Sequence, residues 1–220
     1  MAVWDDLKIV LTGLQDLHPS PLMRYPMPEV DEGRHPPFTI HLAAWAVSTA
    51  EELHQQFGEH VDLTVGVLPY PPGGQRPRPS AQRQHPALLD PHEIAADLDG
   101  PAVVRTGYLL EHGLLLRNLT SQDVQIVTNG KVTAVVVDPQ TGEVVGGFAG
   151  FQTLPLIVFR VAPDHTERIP LLIGTASVTP RLGYAVPAGD WGIQATLKFG
   201  PDPRDAPSRR TPVLPLTITA

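Results

Sequence analysis

The feature that most constrains the fold is a change of pattern near Gly100. Before this residue the sequence is rich in proline and mixes helical with extended patterns, whereas from there to Ala220 it consists of short β-patterned runs. Roughly seven to nine short strands at intervals of about 8–12 residues are typical of a β-sandwich, and ten runs here are candidates for them. The candidate strands cover residues 103–110, 113–119, 124–128, 132–137, 144–148, 153–161, 168–173, 183–186, 191–199 and 213–219.

Turn residues separate these runs. Asn129-Gly130, residues 138–142 (DPQTG) and residues 187–190 (PAGD) all carry turn chemistry. Within residues 191–199 apolar and polar side chains alternate, which predicts a sheet with one buried face. A β-sandwich is a scaffold without chemistry of its own, so this pattern predicts the architecture and leaves the function open.

The first part of the chain predicts a smaller, mostly helical portion. Apolar residues at three-to-four spacing over residues 3–17 predict an amphipathic helix. Residues 38–57 show a helical stripe, and we predict a helix there. Ser48 and Glu51 match a capping box, so a strand followed by a short helix from Ser48 is the open alternative. Alternation over residues 61–67 predicts one strand.

The middle of the chain is the least regular. Residues 69–101 are dominated at first by Pro, Gly, Gln and Arg, which predicts a mobile linker, and Asp90 is placed to cap a short helix within residues 88–98. The predicted fold class is α+β: a helical N-terminal portion with one strand (1–68), a Pro-rich linker with a short helix (69–100) and an antiparallel immunoglobulin-like β-sandwich (101–220).

Composition narrows the class of function. The chain has no cysteine, so it can form neither a disulfide nor a thiolate site. The net charge of −7 argues against non-specific binding of nucleic acid, because phosphate neutralisation needs a basic stripe. No apolar run is long enough for a membrane helix and the N-terminus does not match a signal peptide, so we expect a cytoplasmic protein. The preference for Arg over Lys is typical of a GC-rich genome.

Two short segments are candidate binding surfaces. The first is the glycine cluster Gly146-Gly147-Phe148-Ala149-Gly150-Phe151, in which a β-patterned segment follows the glycines where a phosphate site would need a helix. We predict a β-bulge or flexible turn that exposes two phenylalanines as a contact patch. The second is the extended, Pro-rich segment 18–37, in which Met23, Tyr25 and Met27 are candidate anchors to a partner surface.

No motif predicts catalysis, a cofactor or a metal. The chain has nine histidines, but their nearest groupings lack the spacing of a helical zinc pair. No Gly-x-Ser-x-Gly elbow is present. We therefore assign no catalytic residue, no metal ligand and no cofactor, and we assign Trp45 and Trp191 to packing.

The order of turn signatures in the C-terminal half resembles the BsuPI-type intracellular proteinase inhibitors and kindred bacterial immunoglobulin-like domains. The matching features are the Asn118-Leu119-Thr120 turn, the Val-Val-Asp-Pro-Gln-Thr-Gly-Glu-Val-Val hairpin at 136–145 and the Pro-Ala-Gly-Asp-Trp turn at 187–191. The resemblance covers about residues 100–220 and implies a sandwich, with proteinase inhibition as a further implication. Pro187-Ala188-Gly189 departs from the tighter Pro-Gly of the family, and no reactive loop carries over.

The favoured function is a non-catalytic module that binds another protein. It would act through the sandwich loops, the N-terminal helix or a sheet edge. Three alternatives stay open: a proteinase inhibitor, a small-ligand binder or enzyme with a cleft between the two parts lined by His41, Trp45 and His54, and a subunit of a homo-oligomer.

Overall fold

We describe a computed structural model of the chain, in which residues 2–23, 37–71, 86–150, 155–202 and 206–220 are placed. Its first part, the N-terminal unit, is a small α/β structure. Its elements are α1 (Ala2–Gln15), β1 (Phe38–Leu42), α2 (Val47–Phe57), β2 (Val61–Val65) and β3 (Leu68–Tyr70).

The N-terminal unit is built on a β1-α2-β2 crossover. Strands β1 and β2 pair in parallel, with Ile40 opposite Leu63. A parallel pair requires a crossover connection, and α2 provides it. Strand β3 then returns antiparallel to β2 through a tight turn at Gly66, whose φ is +62°. The sheet order is therefore β1-β2-β3.

The helix predicted over residues 38–57 is wrong in its first half. Phe38–Leu42 is strand β1, with Ile40 and Leu42 buried, and the helix begins only at Val47. The alternative of a strand followed by a short helix is confirmed, but the capping box is not. Ala46 is the N-cap residue and no side chain caps the helix. The alternation of this segment outweighs its helical stripe because pairing with β2 buries the alternate residues.

The core of this unit uses residues from every element. Helix α1 buries Leu7 and Leu11, and α2 buries Ala50, Leu53 and Phe57, which confirms both amphipathic patterns. One member of this core comes from the other part of the molecule. It is Tyr184, whose side chain is 9% exposed.

The second part, the sandwich, contains thirteen strands among the described residues. They are β4 (Ala87–Leu88), β5 (Ile94–Leu98), β6 (Val103–Arg105), β7 (Leu109–Asn118), β8 (Val124–Thr128), β9 (Val132–Val137), β10 (Val144–Gly147), β11 (Ile157–Val161), β12 (Thr166–Gly174), β13 (Ala176–Ser177), β14 (Gly189–Phe199), β15 (Ser208–Arg210) and β16 (Leu214–Thr219).

These strands form two sheets that share β14. One sheet has the order β4-β15-β14-β8-β11, and the other has the order β5-β7-β12-β9-β14-β16-β6, with β10 paired to β9 and β13 paired to β10. Residues Gly192 to Ala195 of β14 pair with β9, whereas Lys198 and Phe199 pair with β8. The core between the sheets takes residues from both, such as Leu114 from β7 and Ile126 from β8.

The single strand predicted over residues 103–110 is wrong, because a turn at Gly107 divides these residues between β6 and β7. Two further predictions in the sandwich region are also wrong. The short helix predicted within residues 88–98 is a turn followed by strand β5, because residues 94–98 pair with β7 from Ile94–Asn118 to Leu98–Leu114. The strand predicted at 183–186 follows a short 3-10 helix and makes only an isolated bridge between Ala185 and Ala176. Tertiary pairing decides both cases, which local propensity cannot anticipate.

The predicted strand-end turn at Asn118 is confirmed, and the side chain of Asn118 is fully buried. The Asn118 side-chain amide donates to the carbonyl oxygens of Gln122 and Val161 at 2.7 and 2.9 Å. Its Oδ1 accepts hydrogen bonds from the backbone N–H and the hydroxyl of Thr120 at 2.9 and 2.8 Å. All four hydrogen-bonding positions of this amide are therefore satisfied.

The fold is α+β and its C-terminal part is a β-sandwich, as the sequence predicts, but the N-terminal unit contains three strands where only one was predicted. Neither of the two described helices has the combination of length and hydropathy that a bilayer span requires.

Candidate binding site at the junction of the two units

The two units meet through an aromatic contact. Trp45, which precedes α2, stacks on Tyr108 of the sandwich with ring centroids 5.5 Å apart and an interplanar angle of 11°. Next to this contact, a Cβ added to Gly107 would lie 2.8 Å from the Cβ of Trp45 and 2.9 Å from the backbone nitrogen of Trp45. Only glycine permits this close approach of the two backbones.

A tight turn between β6 and β7 positions Tyr108. The Tyr108 N–H donates to the carbonyl oxygen of Arg105 at 3.1 Å, and Gly107 has a φ of +81°. This is the arrangement of a type II turn with glycine at its third position. Thr175, which is fully buried, holds the turn from behind because its hydroxyl donates to the Tyr108 carbonyl oxygen at 3.1 Å. Tyr108 is thus fixed by backbone contacts on the sandwich side.

An apolar cavity, the junction cleft, lies beside this contact and has a volume of about 390 Å³. Its lining residues come from the segment after α1, from the β1–α2 connection and from three parts of the sandwich. They are Pro19, Ser20, Leu22, Met23, Ala43, Ala44, Trp45, Gly107, Tyr108, Leu109, Phe148, Ala149, Gly150 and Ala176. None of these described lining residues is charged.

A second cavity, the outer groove, adjoins the junction cleft and has a volume of about 420 Å³. It shares Phe148 and Gly150 with the junction cleft. Its described lining is Val67, Thr133, Ala134, Val135, Val144, Gly146, Gly147, Phe148, Gly150 and Val178, again without a charged residue. Phe148, which is half-buried, therefore stands between two apolar concavities.

Glycines at the end of β10 bring Phe148 to this position. The pairing of β10 with β9 shifts register between Val144 and Gly146, which agrees with the predicted bulge or turn, but Phe148 is half-buried where an exposed ring was predicted. A Cβ on Gly146 would lie 2.4 Å from Val186, and a Cβ on Gly174 would lie 2.5 Å from the Cα of Phe148. These glycines let the chain lie close against β12 and β13.

The structure brings together all five of the residues predicted for binding that it describes. Met23 lines the junction cleft, Gly146 and Gly147 line the outer groove, and Phe148 and Gly150 line both. Tyr25, Met27 and Phe151 lie outside the described residues. The two predicted surfaces, which are more than 120 residues apart in sequence, thus belong to one place on the molecule.

A cleft between the two parts was predicted to be lined by His41, Trp45 and His54. Of these three residues, only Trp45 is in the described lining of the junction cleft. Trp45 forms a wall, so its assignment to packing gives only part of its role. His41 lies on β1, where its Nδ1 is 2.6 Å from the Thr64 hydroxyl, and burial lowers the pKa of the imidazole while Asp62 opposes this. His54 lies on α2 in edge contact with the Tyr70 ring.

Tyr184 ties the sandwich to the core of the N-terminal unit. Its ring packs near the ring of Tyr70 at 6.1 Å, and its hydroxyl is buried without a hydrogen-bond partner among the described atoms. Burial, with smaller contributions from Tyr70 and Glu51, raises the pKa of this phenol to about 12. The neutral phenol is therefore the form that the fold accepts.

Among the described residues, no three His, Asp or Glu side chains lie close enough to hold a metal ion. The polar side chains of the described junction-cleft lining are Ser20 and Tyr108. The Ser20 hydroxyl donates to the carbonyl oxygen of Leu14 at 2.8 Å and accepts from the N–H of Leu22, so it is already engaged in the backbone. This arrangement can bind apolar groups but offers little for acid–base chemistry.

Sequence reasoning missed Tyr108, Leu109 and Gly107 as site residues. The Thr106-Gly107 pair is a turn signal that was available, yet residues 103–110 were predicted as one strand. Even with the turn recognised, the sequence holds no sign that Gly107 faces Trp45, because the contact joins two units.

No protein-family model matches the chain, and no curated protein matches it. Solved structures do match in part. The CARDB domain of a Pyrococcus furiosus protein, solved with di-metal ions, is 11% identical with a TM-score of 0.30 and covers 57% of this chain and 92% of that domain.

Two further structures are similar to the same extent. The seventh PapD-like domain of human CEP192 is 14% identical with a TM-score of 0.27, covering 65% of this chain and 98% of that domain. The CooA pilin subunit of enterotoxigenic Escherichia coli is 7% identical with a TM-score of 0.28, covering 58% of this chain and 99% of that subunit. We draw no functional conclusion from likenesses at this level.

The fold and the site define a class of protein: a β-sandwich with an α/β unit docked on it and an uncharged, aromatic-walled cleft at the junction.

Proposed function

We propose that the protein is a non-catalytic protein-binding module whose junction cleft and outer groove receive an extended apolar segment of a partner protein. The observation that supports this most is the meeting of Met23, Trp45, Tyr108 and Phe148 at one apolar concavity. Leu109, at the edge of the cleft, is 54% exposed, so apolar surface is available to a partner.

The chemistry of the lining suits a peptide anchor. Burying a side chain of Leu or Phe size contributes about 1.5–3 kcal/mol, and pockets walled by Trp and Tyr are typical hot spots of protein interfaces. Phe148 divides the surface into two concavities, so a segment that crosses it can place one side chain in each. In an extended segment, residues i and i+2 point to the same side and suit this division.

The inhibitor hypothesis receives less support from the site. It relies on an exposed loop at residues 146–151, but Gly146 and Gly147 are buried in strand pairing and Phe148 is half-buried. A loop that lines a cavity offers little to the active site of a protease.

A small-ligand binder is the second candidate. The volume of the junction cleft, about 390 Å³, lies within the range of about 300–1,000 Å³ typical of ligand pockets. The two candidates differ in the number of cavities that the ligand occupies. A small apolar molecule fills the junction cleft alone, whereas a peptide occupies the junction cleft and the outer groove.

The test is selection from an unbiased library of displayed peptides with the full chain as bait. We expect enrichment of apolar segments by the natural chain and loss of this enrichment in Leu109→Ser. Ile9→Ser is the matched control, because Ile9 on α1 is 71% exposed and lies outside the described lining of both cavities. Equal enrichment by Leu109→Ser and the natural chain would contradict the proposal. Displacement of the selected peptides by a single small apolar molecule would favour the second candidate.

A further inference from the structure

Arg105 places a positive charge next to Tyr108, which lines the junction cleft, although Arg105 is not itself among the described lining residues. It is the last residue of β6 and the first of the turn that carries Tyr108. Its side chain is exposed, and its guanidinium carbon lies 5.3 Å from the centre of the Tyr108 ring. Such a cation–π contact is favourable and restricts where the guanidinium lies.

Arg105 takes part in none of the ion pairs of the described residues. Those pairs join Lys131 to Glu111, Arg168 to Asp99 at 2.5 Å, and Arg181 to Glu143 at 3.0 Å. A guanidinium that lies over a ring keeps its N–H groups, which point outward in its plane, for a planar anion. Arg105 is therefore available for a carboxylate from outside the described structure.

Because the described lining is uncharged, the charge of Arg105 is the one that a charged group of a partner would encounter beside Tyr108. The described lining of both cavities contains neither an acidic nor a basic residue. A Lys or Arg brought to the cleft would be repelled by Arg105 and would find no carboxylate among the lining residues. The chain as a whole carries −7, but at physiological salt the Debye length is about 8 Å, so local charge dominates at the site.

We infer that the partner segment carries a carboxylate beside its apolar residues, and that Arg105 binds this carboxylate while Trp45, Tyr108 and Phe148 hold the apolar side chains. This inference rests on the function proposed above, because it names the chemistry of the segment that would enter the same cleft.

The experiment uses an array of apolar hexapeptides in sets of three that differ at one position, which is Asp, Asn or Lys. Binding is measured for the full chain and for Arg105→Gln. We expect each Asp peptide to bind about threefold to fivefold more tightly than its Asn partner, and the Lys peptide to bind most weakly. In Arg105→Gln the Asp preference should fall to about one, and high salt should reduce it in the natural chain.

Arg117→Gln is the matched control. Arg117 is exposed, absent from the described ion pairs, and eight residues from Leu109 along β7, which is about 27 Å in a strand. The Asp preference should be unchanged in this variant. Loss of the preference in Arg117→Gln as well would show a general charge effect and overturn the inference.

The array separates failure of the inference from failure of the proposed function. One outcome would overturn the inference alone: the peptides bind the natural chain and not Leu109→Ser, but the Asp and Asn peptides bind with equal affinity. Both the inference and the proposed function would be overturned if the peptides bound Leu109→Ser as tightly as the natural chain, or if no peptide bound the natural chain. Concentration-dependent self-association that Leu109→Ser abolishes would assign the cleft to a second copy and also overturn the inference.

Discussion

The N-terminal unit and the sandwich differ in how completely each forms its own core. The sandwich core is drawn from its own two sheets, and its buried amide at Asn118 is fully satisfied within it. The N-terminal unit instead includes Tyr184 of the sandwich in its core and stacks Trp45 on Tyr108. The difference predicts that the sandwich is the self-sufficient scaffold and that the smaller unit depends on it, and the cleft lies where the two units meet.

The substitution with the largest expected effect tests whether the sandwich supports the smaller unit. Asn118→Ala should lower the free energy of unfolding by about 2–4 kcal/mol, because the carbonyl oxygens of Val161 and Gln122 and two donors of Thr120 lose their partner, and the bond to Val161 is buried. If the smaller unit depends on the sandwich, hydrogen exchange should rise in both units together. Gln122→Ala is the control, since that residue contributes only its backbone carbonyl. Exchange that rises in the sandwich alone would break the comparison.

The second test acts on the junction. Gly107→Ala should cost about 2–3 kcal/mol, since the new Cβ would meet the Trp45 backbone at 2.9 Å and Gly107 has a positive φ. The control is Gly100→Ala, which has a φ of +89° but open space around the added Cβ, and which should cost about 1 kcal/mol. The difference between the two measures the junction contact.

Hydrogen exchange of Gly107→Ala then sharpens the comparison. We expect faster exchange in α2 and β1 while the sandwich strands stay protected, because the substitution separates the smaller unit from its support. Equal loss of protection in both units would mean that the sandwich also depends on the junction.

The smallest effect concerns the Tyr184 hydroxyl. Tyr184→Phe should be as stable as the natural chain at pH 7 or more stable by about 1 kcal/mol, because it removes a buried hydroxyl without a partner in the described structure. A phenol whose pKa rises from 10 to about 12 on folding contributes stability that is complete below pH 10 and lost as the pH rises through 12. Denaturant unfolding at pH 7 and pH 11 should show that Tyr184→Phe lacks this alkaline loss. The same loss in the variant would show that another group causes it.

Much of the sandwich could be predicted from the sequence, because its signals are local. Strands β8 and β9 occupy the predicted residues, and the bulge near Gly146 was predicted from the glycines that form it. The wrong predictions concern segments whose secondary structure is decided by the strand with which they pair. Residues 94–98 have the composition of a helical turn but pair with β7, and residues 38–42 pair with β2. Neither partner can be read from the segment itself.

The site was predictable only in pieces. Met23 and Phe148 were each recognised as candidate contacts, but as separate surfaces, and Trp45 was assigned mainly to packing. Tyr108 was not recognised at all, because its role depends on the turn at Gly107 and on the neighbour that this turn meets.

The sequence by itself determined the alternation of strands and turns, the absence of thiol chemistry and the negative net charge, since these are properties of residue types and their spacing. The tertiary structure alone decided that Trp45 stacks on Tyr108, that Tyr184 enters the core of the other unit, and that two distant apolar segments line one cleft. The physical reason is that hydrophobic contact is non-directional and has no sequence range, so which apolar surfaces meet is settled only when the two units pack.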